Sequence, residues 1–414
     1  MKFIRKLYRP ISKLAAYQIL MMVKFFFLFS IGVVLYSYIG YGILLYLLLK
    51  IKRLFFRRFP TPLAGDFEPE VSLVVSAYNE EDFIERKIKN SLEIDYPAGK
   101  LRWIFITDGS NDATPEIIRH HPQILLLHQA ERKGKVAAMN RAIKHVQTPY
   151  TIFSDANTLL NASSVREIMK HYADPRVGGV AGEKKIITRQ KDKAAGAGEG
   201  IYWKYESLLK KLDSDFYSVV GAAGELFSVK TDLFHEAAED TIIEDFVQSL
   251  QICMEGYVIR YEPRAFAVET ASASMREEQK RKIRIAAGAF QAMVILKSLF
   301  NLFRYPVLAF QFISHRVLRW TLCPVCLFIC FSTNAYMVYQ GTTRIYEVVF
   351  LFQLVFYTLA WTGWVLAARN LKWKILYIPY YFLFMNLSVF LGFFRFIRKK
   401  QTAVWEKAAR HAHP

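Results

Sequence analysis

Phe25 to Leu49 is a run of 25 residues without a charge, rich in Phe, Leu, Ile and Tyr. It is long enough to cross the hydrocarbon core of a bilayer as a helix, which commits this end of the chain to lipid. A secretory signal is the poorer reading, because the run is too long and no small-residue cleavage site follows it. Trp320 to Gln340, Tyr346 to Ala368 and Ile375 to Phe394 are three further candidate spans. The polar sequence between the first span and these three is expected to fold as one water-facing domain. Composition agrees: 53% hydrophobic and 15% aromatic residues is too apolar for an ordinary soluble protein.

A net charge of +19 points to nucleic acid or to an anionic membrane, and its placement decides which. Residues 1–60 hold eleven Lys and Arg and no acid, and residues 297–414 hold fourteen against only Glu347 and Glu406. The middle holds thirty bases against thirty-four acids. A nucleic-acid-binding protein would carry its positive charge on the folded domain that docks the phosphates. Here the charge sits on the membrane flanks, so membrane lipid is the expected partner and nucleic acid is not. Cys323, Cys326 and Cys330 lie in apolar sequence with no nearby carboxylate, and they read as ordinary thiols of a membrane helix.

From Val71 to about Tyr261, short apolar strands alternate with amphipathic helical patterns, which predicts an α/β, Rossmann-like domain with a mostly parallel sheet. The strands are Val71 to Ala77, Trp103 to Thr107, Ile124 to His128 and Tyr150 to Ser154, with helices over Glu81 to Leu92, Thr114 to His120 and Lys135 to His145. Such a sheet binds its ligand at the carboxyl ends of its strands, and Tyr78, Asp108 and Asp155 all fall at such ends.

The first strand ends in the polar turn Tyr78, Asn79, Glu80, Glu81, a pattern that a helix-capping turn explains about as well as a ligand does. Asp108 with Gly109 puts a carboxylate at a strand end, able to accept from a base N–H, where glycine lets the backbone come close. Ordinary turn chemistry ahead of Thr114 and Pro115 is the alternative. Asp155 and Asn157 place two oxygen-bearing side chains two residues apart, suited to a hard divalent cation on a diphosphate or, equally, to an Asx turn. Thr241 and Glu244 form a capping-box signature, and Asp245 beside them suits a general base. Arg276 to Arg284 is a basic cluster that anionic lipid would explain, while Arg281 and Arg284 also suit bidentate grip of a diphosphate. Lys133-Gly134-Lys135 reads first as a solvated helix start, with Lys135 a further cation for a nucleotide.

The order and spacing of these motifs over roughly Val71 to Phe290 resemble the membrane-embedded family-2 glycosyltransferases. That inverting group includes cellulose, hyaluronan and poly-N-acetylglucosamine synthases. The resemblance implies that Ala77, Tyr78, Asn79, Glu80 and Asp108 hold the uridine of a UDP-sugar. Asp155 and Asn157 would bind the diphosphate with Mg²⁺ or Mn²⁺. Glu244 and Asp245 match the element that supplies the base, Gly224 and Glu225 match the acceptor-site loop, and Arg281 and Arg284 match the diphosphate-binding arginine motif. Three departures stand out: Asn157 replaces an Asp, Ile243 stands where Thr is usual, and Arg281 and Ile285 stand where processive members carry Gln and Trp. The last weighs against long-chain polymerisation.

The expected organisation is a basic segment and span over 1–60, a cytosolic transferase domain over 61–289, interfacial amphipathic helices over 290–318, about three spans over 319–400 and a basic tail over 401–414. Lys297, Arg304 and Arg316 suit a helix lying in the interface. A cytosolic domain with one span before it and three after puts both basic termini outside, against the positive-inside tendency. The expected function is an inverting, metal-dependent transfer from a UDP-linked hexose or N-acetylhexosamine to a polysaccharide at the plasma membrane, with accessory membrane or export subunits compatible with it. Two alternatives stand beside it: a single transfer to a membrane lipid such as a polyprenyl phosphate or diacylglycerol, and a silent nucleotide-binding subunit.

Overall fold

A computed structural model describes residues 2–55, 67–187, 193–270, 274–369 and 373–399. The expected boundary at residue 60 and the basic tail 401–414 lie outside the described residues. The chain opens with one long helical rod, α1 (Lys2–Leu35) and α2 (Tyr41–Phe55), joined by a π-helical turn at Tyr36–Gly40. Among the described residues eight strands follow: β1 (Val71–Ala77), β2 (Leu101–Asp108), β3 (Ile124–Gln129), β4 (Tyr150–Asp155), β5 (Leu159–Leu160), β6 (Val177–Ile187), β7 (Leu226–Lys230) and β8 (Val258–Thr270). They form one sheet in the order β3-β2-β1-β4-β7-β6-β8-β5. The sheet is parallel through β3-β2-β1-β4 and mixed beyond, because β7 runs antiparallel to both β4 and β6.

Six helices cover this sheet: α3 (Ile84–Leu92), α4 (Thr114–Arg119), α5 (Lys135–Ile143), α6 (Ser164–Met169), α7 (Lys193–Phe216) and α8 (Glu244–Met254). The strands are apolar on both faces because both are buried. Val71, Leu73 and Val75 pack with Ile84 and Ile88 of α3 and with Ile168 of α6, whereas Val74 and Ile106 pack with Ala138 and Met139 of α5 and with Phe246 of α8. α3 begins three residues later than its pattern predicts. Glu81 is tied to the neighbouring loop instead, its carboxylate accepting from the Ala113 amide at 2.9 Å and its own amide donating to Asp112 at 3.2 Å.

Six further helices follow among the described residues: α9 (Met275–Ile295), charged over its first half, then α10 (Pro306–Phe312), α11 (Leu318–Trp320), α12 (Leu322–Tyr339), α13 (Arg344–Ala368) and α14 (Lys374–Ile397). Among the described residues, four segments are long and apolar enough to cross a membrane: Tyr17–Phe55, Leu322–Tyr339, Arg344–Ala367 and Ile375–Ile397. The first is longer than the uncharged run, because the helix continues on both sides of it, from Tyr17 to Lys24 and from Lys50 to Phe55. The cysteines are free and buried, as read from their apolar setting.

The segment 290–318, expected as interfacial amphipathic helices, is made of several short pieces rather than one helix. α9 ends at Ile295, a 3₁₀ turn covers Lys297–Phe300, and α10 restarts at Pro306, whose ring favours a helix's first turn. Arg316 also departs from the lipid-facing role. Its guanidinium turns inward to Glu206 at 3.1 Å and to the Val220 carbonyl at 3.1 Å. Glu206 further pairs with Arg319, and His315 reaches Asp213 at 2.6 Å, so a buried polar network joins α7 to the membrane side.

α14 lies directly against α9 at Gly392, where an added Cβ would stand 2.5 Å from the Ala286 Cβ. Gly392→Leu should therefore force these helices apart at a cost of about 1–3 kcal/mol. A thermal-unfolding scan in detergent checks it, and an unchanged midpoint would show that the two helices are not held there.

Candidate active site

The parallel half of the sheet ends in a cleft of ≈ 530 Å³ that opens to solvent and is lined by Ala77, Tyr78, Glu80, Asp108, Arg132, Lys135, Asp155 and Asn157 among others. Each arrives there for a local reason. Asp108 is the last residue of β2, and its Oδ2 accepts from the backbone amides of Lys133 and Gly134 at 3.0 and 2.6 Å. This pins the loop that opens α5. Its other oxygen, Oδ1, is buried without a hydrogen-bond partner, with the Arg141 guanidinium 3.8 Å away. A buried acceptor left open at a cleft wall fits a donor group on a ligand. Gly109 follows at φ +70°, and a Cβ there would stand 2.4 Å from the Arg132 Cβ, so only glycine lets this loop close. From this loop, the Arg132 guanidinium stacks on Tyr78, 3.6 Å from the centre of its ring.

The turn after β1 is braced by the next loop. Asn79 takes the left-handed conformation at φ 51°, and its side chain exchanges hydrogen bonds of 2.8 and 3.0 Å with Asn111. Asn79 is therefore spent on holding the turn rather than facing the cleft. Glu80 faces the cleft, and its amide donates to the Thr114 hydroxyl at 2.8 Å.

At the other end, Lys135 is the centre of the arrangement. Its ammonium lies 2.8 Å from Asp155 Oδ1 and 3.2 Å from Glu244 Oε1. Burial works against that charge, and the carboxylates of Asp155, Glu244 and Asp245 outweigh it, holding Lys135 well above its ordinary range. This overturns the solvated reading for Lys135, whereas Lys133 is exposed as that reading expects. Glu244 spends its carboxylate on Lys135, and the expected capping box is absent: α8 starts at Glu244, and its N-cap, Ile243, makes no side-chain cap bond. Asp245, partly exposed, is pushed up to about 7 by burial first and by Glu244 next, with Lys135 opposing. Gly224 adjoins this carboxylate, since a Cβ there would lie 3.3 Å from Asp245 Oδ2 and 3.0 Å from Lys135 Nζ.

Glu225 is paired with Lys184, which also holds Glu269. Burial works against its charge, and Lys184 and Arg281 outweigh this, keeping it below the usual carboxylate range. Of the three arginines of α9, Arg281 and Arg284 face different carboxylates. Arg281 lies 3.6 Å from Glu278, whereas Arg284 is lowered by burial and held up by Glu244, Asp245 and Asp155, which puts its charge beside the cleft's acids.

For a divalent cation, the donors on hand are Asp155 and the Asn157 carbonyl oxygen, which is buried without a hydrogen-bond partner. Among the described residues no group of three or more His, Cys, Asp or Glu is placed to hold a metal ion. A hard cation fits here if phosphate oxygens of a ligand complete its shell, the usual arrangement for Mg²⁺.

A motif search alone misses two residues. Arg132 gives no spacing signal beyond its place before Lys133. Lys87 reads as the polar face of an amphipathic helix, yet it is fully buried.

Residues 72–237 match glycosyl transferase family 2. The chain carries a family-2 glycosyltransferase domain. The match ends short of Asp245, Arg281 and Arg284. Poly-β-1,6-N-acetyl-D-glucosamine synthase of Staphylococcus aureus (strain MSSA476) is 28% identical over 257 residues, 58% of this chain and 60% of that protein. The synthase of the same name from Staphylococcus epidermidis is 26% identical over 236 residues, 54% of this chain and 55% of that protein. The chain thus aligns with little more than half the length of these relatives. A mannosyltransferase from Pyrobaculum calidifontis, solved with GDP-Man and Mn²⁺, shares the fold over 91% of this chain and 100% of its own, with a TM-score of 0.67 at 23% identity.

Proposed function

We propose that this protein is an inverting glycosyltransferase that moves N-acetylglucosamine or a related hexose from a UDP-sugar to a glycan hydroxyl at the cytosolic face of the plasma membrane. The single observation that carries the reading is the meeting of Asp155, Glu244 and Asp245 around Lys135, next to Gly224. The choice of sugar rests on the names of the staphylococcal relatives. In this reading the transferase domain spans 61–289, with the spans on either side holding it to the bilayer.

The open oxygen of Asp108 accepts a base N–H, and the stacked pair of Tyr78 and Arg132 lines the cleft that receives the base. The acceptor hydroxyl lies beside Gly224, and Asp245 takes its proton as the oxygen attacks the anomeric carbon. The new C–O bond forms as the bond from that carbon to the diphosphate oxygen breaks, so the donor's α configuration becomes β. Lys135 and Arg284 face the negative charge of the leaving UDP. A Mg²⁺ or Mn²⁺ held by Asp155 and Asn157 would supply further charge neutralisation at the diphosphate.

Purified protein in detergent, given radiolabelled UDP-N-acetylglucosamine and Mn²⁺, is expected to release UDP and label a glycan product. Asp155→Ala should lower that release by about 100-fold or more. Absence of metal-dependent UDP release across a panel of UDP-sugars would end the proposal. A single transfer to a membrane lipid is the second reading, favoured by Ile285 standing where processive members carry Trp. Product size separates the two: a ladder supports polymerisation, and one lipid-soluble species supports single transfer.

A further inference from the structure

Lys87 lies outside the cleft, yet it is one of the largest fully buried side chains of the protein. It faces inward from α3 between Ile84 and Ile88, both buried. Its ammonium donates to two neutral oxygens, Ser154 Oγ at 2.8 Å and the Thr158 carbonyl at 2.9 Å. These flank the Asp155–Asn157 turn on either side. Ser154 Oγ also donates to the Glu225 carbonyl at 3.2 Å and meets Thr158 Oγ1 at 3.2 Å, and Thr158 Oγ1 donates back to the Asp155 carbonyl at 2.9 Å. About one helical turn on, Asn90 exchanges two hydrogen bonds of 2.8 Å with the backbone of Leu160. α3 thus grips the whole segment from Ser154 to Leu160, with Lys87 at its centre.

A methionine would fill the same space without the desolvation that a buried ammonium suffers. What Lys87 adds is therefore direction and charge, delivered to the underside of the turn. Burial pushes its ammonium down to about 7, and the negative charge that opposes the fall is that of Asp155.

We propose that Lys87 is a positioning residue: it fixes Asp155 and Asn157 for a divalent cation bound with a nucleoside diphosphate, and through Ser154 it ties this turn to the acceptor loop at Glu225. The inference rests on reading Asp155 and Asn157 as the metal–diphosphate turn. Metal sites depend on groups one shell out from the ligands, whose loss costs about 10–100-fold in affinity.

The test is Mn²⁺ binding in the presence of saturating UDP, followed by the EPR signal of free Mn²⁺ with the full-length protein in detergent. Lys87→Met is expected to weaken Mn²⁺ binding by about tenfold or more, while UDP binding without metal, which depends on Asp108, is unchanged. A purely structural lysine would instead lower the melting temperature and the folded yield and leave the Mn²⁺ affinity of the folded fraction as it was, which overturns the proposal. If Lys87→Met does not give folded protein, Ser154→Ala decides by the same readout: weakened Mn²⁺ binding supports the proposal and unchanged binding overturns it. Asp155→Ala separates the two levels. If the wild type binds no Mn²⁺ with UDP, or Asp155→Ala leaves binding unaltered, the reading of the turn itself fails; if those controls behave and Lys87→Met does not, only the role of Lys87 fails.

Discussion

Asp245→Asn is expected to keep UDP binding and to lower sugar transfer by about 10³-fold or more, the scale on which a positioned general base contributes. The amide occupies the same volume beside Gly224 and cannot take the proton. The same carboxylate sets a pH dependence whose sign follows from its environment. Burial and the neighbouring Glu244 push Asp245 up to about 7, so its basic form grows as pH rises through that value. In the wild type, kcat/KM should climb about tenfold per unit below about pH 6 and level off above about pH 8. In Asp245→Asn the residual rate should lose that limb. Radiolabelled transfer assays from pH 5 to 9, with UDP binding by calorimetry alongside, test both statements. Near-wild-type transfer by the variant would remove Asp245 from the mechanism.

Lys135→Met is expected to be the most damaging change to the cleft as a whole. Its ammonium stands between Asp155 Oδ1 at 2.8 Å and Glu244 Oε1 at 3.2 Å, with Asp245 beside them. Methionine leaves three acids facing one another with Arg284 as the remaining cation beside them. Breaking a mostly buried ion pair in this way costs about 3–5 kcal/mol, so the melting temperature should fall by several degrees in metal-free buffer. UDP with Mn²⁺ should recover part of the loss, because it restores positive charge near the acids. The loss of a cation also raises the carboxylate that remains to act as base, so the rising limb should move by about one unit or more to alkaline pH. Transfer at pH 7 falls accordingly. A variant with wild-type melting behaviour and an unmoved limb would show that Lys135 does not organise these acids.

Much of this site was legible before any coordinates. Asp108 and Asp155 close apolar strands, and strand ends are where an open α/β sheet gathers its ligands. The four strands of the parallel half follow from their apolar runs, with ends within two residues of those read from sequence. Gly224 and Asp245 are 21 positions apart in the chain, and motif resemblance alone could bring them to one pocket. Residues whose roles depend on what lies across from them were not legible. Lys135 sits at the start of a helix, where a solvated lysine is the ordinary expectation, and only the arrival of α8 beside β4 surrounds it with acids. Arg316 fits the spacing of a lipid-facing stripe, yet Glu206 on a distant helix draws it inward. The capping box at Thr241 and Glu244 failed for the same reason, since Lys135 competes for the carboxylate that would have capped the helix.

The sequence by itself determined the local states: which segments enter lipid, which form strands, and which acids stand at strand ends or helix starts. These follow from apolar periodicity and from backbone preferences, which act over a few residues. Only the tertiary structure decided the antiparallel insertion of β7, the partners of Lys135, Lys87 and Arg316, and the raised pKa of Asp245. Desolvation and Coulomb interaction depend on what surrounds a group in space, and neighbours far apart in the chain supply nearly all of it.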